Sequence, residues 1–192
     1  MEIQILEDLI EKTISGDKVA FRKLYDVYKG KVYATAKNIT KDEKAAEDIL
    51  QEVFVTVYTK LYKLKKAAAF EVWLYKIVIN SCNNYFRKNK RSITCEDSII
   101  ENLSGEAGEM PNEIIERKEA YTELKSCIDR LSDKLKICII FYYFNDMSIK
   151  EIADILNCSE GTVKSRLFKA KKNLGKDLMS IGSEEGKAYE YR

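Results

Sequence analysis

The chain has 192 residues, 45% apolar and 33% charged, with 33 Lys and Arg against 31 Asp and Glu; this is too apolar for a disordered chain and leaves room for one medium domain or two small ones. It contains no histidine, which removes the commonest general base, the commonest transition-metal ligand and every Ser-His or Cys-His mechanism. The longest apolar run, Ile137 to Phe144, is far short of a membrane span, and the N-terminus carries Glu2, Glu7 and Asp8 where a signal peptide carries Lys or Arg, so a cytoplasmic protein is expected.

With one Pro and 8 Gly, repeated strand and turn units have little to build with, and the expected fold class is all-α. The five cysteines at 82, 95, 127, 138 and 158 include no CxxC pair and read as reduced, mostly buried thiols. Charge divides the chain: residues 1–92 carry a net +6, residues 93–123 carry −7, residues 124–176 carry +5 and the remainder −2. The acidic stretch holds Gly105, Gly108 and Pro111 and reads as a flexible linker between two small helical domains. Its acids either keep it solvated or shield a basic surface until a polyanion displaces them.

In chain order, Phe21, Leu24, Tyr25 and Tyr28 recur at helical spacing, as do Ala46, Ile49, Val53, Val57 and Leu61. The second of these helices is expected to open on a capping box at Thr40 to Glu43 and to run to about Leu64. Its polar side carries Asp48, Gln51 and Glu52, a protein-docking face or solvated surface charge. A metal site built on Glu47, Asp48 and Glu52 would make the chain a helical nucleic-acid enzyme, but di-metal carboxylate bundles pair Glu with His, and none exists here.

A further helix follows Lys65-Lys-Ala-Ala-Ala69 and continues through Arg87. Tyr75, Val78, Ile79, Cys82, Tyr85 and Phe86 share one side, which reads as core. Trp73, Lys76, Asn80, Asn84 and Arg87 share the other. A Trp beside amides and cations stacks on bases or packs on a neighbouring helix, and the two readings stand about even. Arg87 to Arg91 adds a phosphate-attracting cluster.

Beyond the linker, helices are expected from Pro111-Asn112 and after Ser132, then two short ones between 148 and 174. Ser148-Ile-Lys-Glu151 is a capping box, and Ile149, Ile152, Ala153 and Leu156 give its helix an apolar face. After Asn157-Cys158-Ser159, the stripe Val163, Leu167, Ala170 and Leu174 marks the inner side of a second helix. The pair makes a helix-turn-helix. Its outward face holds Thr162, Ser165, Phe168, Lys169 and Lys172, flanked by Lys164 and Arg166, cations and an aromatic suited to a DNA major groove.

Four motifs in this order resemble the extracytoplasmic-function (ECF) sigma factors of the bacterial sigma-70 family over residues 14–176: Gly16-Asp17 with Ala20-Phe21 and Leu24-Tyr25; Ala46-Glu-Asp-Ile-Leu-Gln-Glu-Val-Phe54; Phe70-Glu-Val-Trp-Leu-Tyr-Lys-Ile77 with Asn80 and Arg87; and Met147 to Ala153 leading to Gly161 to Ala170. The resemblance implies sigma region 2 over 1–92, a linker over 93–116, sigma region 4 over 117–178 and a tail over 179–192. It implies a non-catalytic initiation factor without metal, cofactor or small-molecule substrate, which directs core RNA polymerase to promoters. Asp48, Gln51 and Glu52 would hold the polymerase clamp helices, while region 4 touches the flap. Asn80 and the segment Lys65 to Phe70 would take a flipped base of the minus-ten element, with Trp73, Lys76, Asn84 and Arg87 at the melted edge. Lys164, Ser165, Phe168 and Lys169 would face minus-thirty-five bases, and Thr162, Arg166 and Lys172 phosphates. An anti-sigma partner, possibly membrane-anchored, and association with the nucleoid through polymerase are also implied.

This chain departs from the family in having Leu131-Ser132 where many relatives have Leu-Pro, Asn84 where they often have Asp, and a Lys-Lys-Ala-Ala-Ala loop before Phe70. Ser132 is expected to cap the helix it precedes. The alternative is a stand-alone, dimeric helix-turn-helix regulator that binds a palindromic operator without polymerase.

Overall fold

The computed structural model describes residues 3–92 and 112–181, and all the regular structure among them is helical. Helices α1 (Ile3–Ile14), α2 (Lys18–Thr40), α3 (Glu43–Lys60) and α4 (Phe70–Ser92) form the first half. Helices α5 (Asn112–Arg130), α6 (Asp133–Ile139), α7 (Ile149–Leu156) and α8 (Glu160–Ile181) form the second. Residues 93–111 of the expected linker, Cys95 and most of the tail lie outside the described residues; residues 112–116, expected to be linker, form the start of α5.

Helix α1 is an element that the sequence reading passed over. Its stripe Leu6, Leu9, Ile10 and Thr13 is buried against α2 and the short 3-10 turns at 61–63 and 67–69. Gly16 then takes a left-handed φ of +94°, and Asp17 caps α2 by accepting from the Val19 and Ala20 amides at 2.7 and 3.2 Å. The expected capping box at Thr40 to Glu43 does not form. Asp42 is the N-cap of α3, accepting from the Ala45 amide at 3.0 Å, while Thr40 ends α2 and returns its hydroxyl to the Ala36 carbonyl at 2.8 Å. The left-handed Lys41 at φ 60° sets this register, because α2 must stop before α3 can turn back along it. The Ala45 amide, together with the Tyr85 hydroxyl that donates to the Asp42 carboxylate at 2.9 Å, holds that carboxyl below its ordinary range. Helix α3 stops at Lys60, a turn earlier than expected, and continues as the 3-10 turn Leu61–Lys63.

The second half is built around α8. Val163, Leu167, Ala170 and Leu174 are buried, as their spacing requires. Ser148 and Glu151 form the reciprocal capping box on α7. Ile155 joins Ile152 and Ala153 in the α7 core. Asn157, left-handed at φ 50°, ends α7 and allows a three-residue turn into α8. Ser132 precedes α6 with no side-chain hydrogen bond to its amides, so the expected cap is absent. A wide turn at Ile140–Phe144, closed by the Asn145 amide on the Ile140 carbonyl at 3.2 Å, points Phe141 inward and leaves Tyr142, Tyr143 and Phe144 exposed.

The halves are packed together. Helix α7 lies on α4, and Tyr75 meets Phe141 edge-on at 5.5 Å with both rings buried. The Asn145 amide donates to the Thr35 hydroxyl at 3.1 Å, and Lys41 donates to the Asp129 carbonyl at 2.7 Å. Tyr75 thus lies on the core side of α4, as its spacing implies, but the core it serves is shared with the second half. Cys82, Cys127 and Cys138 are buried free thiols and Cys158 is half-buried. Burial pushes the Cys82 thiol up to about 12.

Candidate nucleic-acid and polymerase interface

Three exposed faces carry the predicted residues. On α3, Asp48, Gln51 and Glu52 all point to solvent while Ile49 and Val53 face the core. Beside Gln51 an open groove of about 570 Å³ runs between α2 and α3, lined by Phe21, Tyr25, Phe54, Val55 and Tyr58. The rings interlock edge-on, Tyr25 with Phe54 at 4.7 Å and Phe21 with Tyr58 at 4.9 Å. Val55 and Tyr58 are 64% and 47% exposed, apolar residues off the inner stripe of their helix. That position was the signal in the sequence for a docking face broader than three polar residues.

On α4, Lys76, Asn80 and Arg87 are exposed and Trp73 and Asn84 half-buried along one stripe. Arg87 donates to the Asn84 side-chain carbonyl at 3.2 Å, which fixes the Asn84 amide. Lys65 is exposed at the entrance to α4. Phe70 is not at this surface: it is fully buried, edge-on to Tyr28 at 5.2 Å and 6.1 Å from Trp73. Its place as the first residue of α4, directly over Tyr28 of α2, turns the ring inward, so it braces Trp73 instead of meeting a ligand. Trp73 is half-buried, its ring next to that of Phe70 one turn earlier on the same helix. Tyr28 donates to the Glu71 carboxylate at 3.0 Å, and burial, with that carboxylate, raises the phenol above its ordinary range.

On α8, Lys164, Ser165, Phe168, Lys169 and Lys172 are exposed, Phe168 at 71%. Thr162 and Arg166 are half-buried. Thr162 belongs to the helix cap: its amide donates to the Ser159 hydroxyl at 3.1 Å, and the two hydroxyls lie 2.9 Å apart. Ser165 returns its hydroxyl to the Thr162 carbonyl at 2.9 Å. Arg166 turns back toward Cys158, 3.9 Å from its sulfur, and borders a cleft of about 530 Å³ with Lys169, Arg130, Ser132 and Lys134. Arg130 ends α5 and Lys134 lies in the first turn of α6, a contribution invisible to a helical wheel of α8 alone.

Two acid-bearing and cation-bearing faces in the first half, and a helix-turn-helix with a basic outer helix in the second, agree with family matches over the same segments. Residues 24–92 match the model described as sigma-70 region 2, and residues 121–174 match sigma-70, region 4. The chain is similar to the ECF RNA polymerase sigma factor SigM of Bacillus subtilis (strain 168), 32% identical over 79% of this chain and 91% of that one. The chain belongs to the ECF sigma factors.

Solved structures share its fold at 20% identity: CnrH bound to the cytosolic domain of CnrY, with a TM-score of 0.67 over 93% of this chain and 99% of that one, and RpoE of Bartonella quintana bound to the anti-sigma factor NepR, with 0.66 over 83% and 96%. Sigma factors are non-enzymatic transcription initiation factors that bind core RNA polymerase and promoter DNA, and this chain is one of them. Among the described residues, no helix is long and apolar enough to cross a membrane.

Proposed function

We propose a division of labour within this sigma factor in which each exposed face serves one partner. Asp48, Gln51 and Glu52, with Val55 and Tyr58 beside them, hold the polymerase clamp helices. Lys65, Trp73, Lys76, Asn80, Asn84 and Arg87 engage the minus-ten strand, Trp73 at the edge where bases unstack. Lys164, Ser165, Phe168, Lys169 and Lys172 read the minus-thirty-five duplex, and Arg166 with Arg130 and Lys134 neutralises a bordering phosphate. The domain limits 1–92 and 117–178 go with this reading, as do work in the cytoplasm and nucleoid association through polymerase. An anti-sigma partner is part of it, supported by the bound partners of CnrH and RpoE.

One observation carries the reading: most of these polar residues stand on the solvent side of a helix whose opposite side builds the core, so the faces can be offered to partners while the core is kept. Run-off transcription from genomic promoter fragments with purified core polymerase tests it. Replacing Asp48, Gln51 and Glu52 by Ala is expected to lower specific transcripts about tenfold or more while the protein stays folded. Unchanged transcripts would remove α3 from the polymerase interface.

A further inference from the structure

The arginines of the basic cleft beside α8 are held by sulfur. Arg166 lies 3.9 Å from the Cys158 sulfur, and Arg130, which lines the same cleft, donates to the Cys127 sulfur at 3.1 Å. Arg166 is shared further: it also donates to the Cys138 thiol, which burial pushes above its ordinary range and the guanidinium draws part of the way back. A thiol sulfur is a weak acceptor, so these bonds restrain the arginines only lightly.

Cys138 and Cys158 reach that guanidinium from different elements. Cys138 stands on α6 beside the buried Ile139 and is itself fully buried. Cys158 is the middle residue of the three-residue turn into α8, its amide donating to the Ala153 carbonyl at 3.0 Å, and it is half-buried. Both are free thiols. A guanidinium is planar and only a few ångströms across, so two sulfurs that share it lie within side-chain reach of each other. The fold thus makes a pair of two cysteines that no CxxC spacing announces, one thiol open to small solutes and the other behind it.

We propose that Cys138 and Cys158 are a redox pair whose oxidation by a peroxide releases Arg166 into the cleft. The Cys158 sulfur attacks hydrogen peroxide and breaks its O–O bond; one oxygen stays on sulfur as a sulfenic acid, and the other leaves as water with the thiol proton. The Cys138 sulfur then attacks the sulfenic sulfur, the S–S bond forms, and the hydroxyl leaves as a second water with the Cys138 proton. Each sulfur is oxidised by one electron, and one peroxide is reduced to two waters. Closing the bridge takes from Arg166 both thiols that held it, and the guanidinium turns outward to join Arg130, Lys134 and Lys169. The effect on DNA rests on the DNA reading of α8; the pairing of the thiols does not.

Treatment of the full chain with a small excess of hydrogen peroxide, followed by thiol alkylation and peptide mapping without reductant, tests the pairing. A Cys138–Cys158 link that dithiothreitol reverses is expected, and the Cys158→Ser variant should keep Cys138 as a free thiol. Cys158 linked to any other cysteine, found only in covalent dimers, or recovered as thiol or sulfinic acid would overturn the pair. Release of Arg166 is read from binding to a mixed-sequence duplex at several salt concentrations. The bridged chain is expected to bind about threefold tighter at low salt, with the slope of log affinity against log salt steeper by about 0.9 for one added phosphate contact. In Arg166→Ala the bridge should still form while duplex binding no longer responds to peroxide. Equal or weaker binding by the bridged chain would overturn the release. Duplex binding absent from both forms would remove the DNA reading of α8 and the release with it, the mapping still deciding the pair.

Discussion

The two halves of this sigma factor achieve their folds by different means. In the first, long helices α2, α3 and α4 bury a continuous set of large side chains, Leu24, Tyr28, Val53, Phe70 and Leu74 among them, and the partner faces are simply what remains outside. The second half has short helices α6 and α7, and a unit of this size sits near the lower limit for a self-sufficient core. It supplements that core by placing Phe141 on Tyr75 and α7 on α4. The first half draws most of its core from its own long helices, while the second extends its core onto α4. With the two DNA faces proposed to read separate promoter elements, the packing of the halves is expected to open on promoter binding.

The largest test of this contrast is at Phe70. Phe70→Ala removes a fully buried ring and is expected to cost about 3–5 kcal/mol, read as a lower midpoint in denaturant titration. Trp73→Ala is expected to cost about 2 kcal/mol or less, since its ring is half-buried, yet to reduce open-complex formation more than its stability loss explains. If the two variants lost stability equally, the separation of brace from ligand contact would be wrong.

Next comes Phe141→Ala. In the packed arrangement it should cost about 3 kcal/mol, the loss falling on the second half. Amide hydrogen exchange is then expected to quicken in α6, α7 and α8 while α2 and α3 keep their protection. Protection lost evenly across both halves would show that the first depends on the second as well.

Much of this was legible beforehand. The buried stripe of α8 and the Ser148 capping box follow from spacing and hydroxyl chemistry alone, and the outer faces of α3 and α8 are the complements of their buried stripes. What escaped were features that depend on a neighbour. Asp42 displaced Thr40 as the cap because α2 extends to Thr40, a length no local rule sets. Phe70 went inward because Tyr28 waits there. Helix α1 was passed over although its stripe is clear, and the lining of the cleft by Arg130 and Lys134 depends on the end of α5 and the first turn of α6 meeting α8. Periodicity identifies which side of a helix is apolar; it does not say what covers that side, which is how Tyr75 came to be matched with the other half of the chain.

A smaller effect resolves the packing from its other side. The Tyr75 hydroxyl is buried without a well-formed hydrogen bond, its polar neighbour being the Thr35 side chain, and an incompletely satisfied buried hydroxyl costs up to about 1–3 kcal/mol. Tyr75→Phe keeps the ring on Phe141 and removes that penalty, so the variant is expected to be more stable by about 1 kcal/mol and to hold the halves together longer, with fewer transcripts at limiting polymerase. Reduced stability would mean that the interaction with the Thr35 side chain is worth more than the burial of the hydroxyl costs.

The smallest effect concerns Lys136, which is 3% exposed beneath the Lys41 and Asp129 contact. Its ammonium is 3.9 Å from the Asp129 carboxylate, which Lys41 also approaches at 3.6 Å. Burial, with Lys41 beside it, lowers the Lys136 pKa, and Asp129 and Asp133 only partly oppose this. A base whose folded pKa lies below its unfolded value binds fewer protons when folded, so stability rises with pH from the folded pKa up to the unfolded one near 10.5. Thermal melts approaching pH 10.5 are therefore expected to show a Lys136 contribution that favours the fold, against the background of other groups. Lys136→Met removes the charge from the interior at every pH and should stabilise the chain by about 1 kcal/mol near neutrality, with the gain shrinking as pH rises. A gain that stayed constant with pH would assign the effect to packing of the methionine, whereas a loss would make the Asp129 pair worth more than the burial it costs.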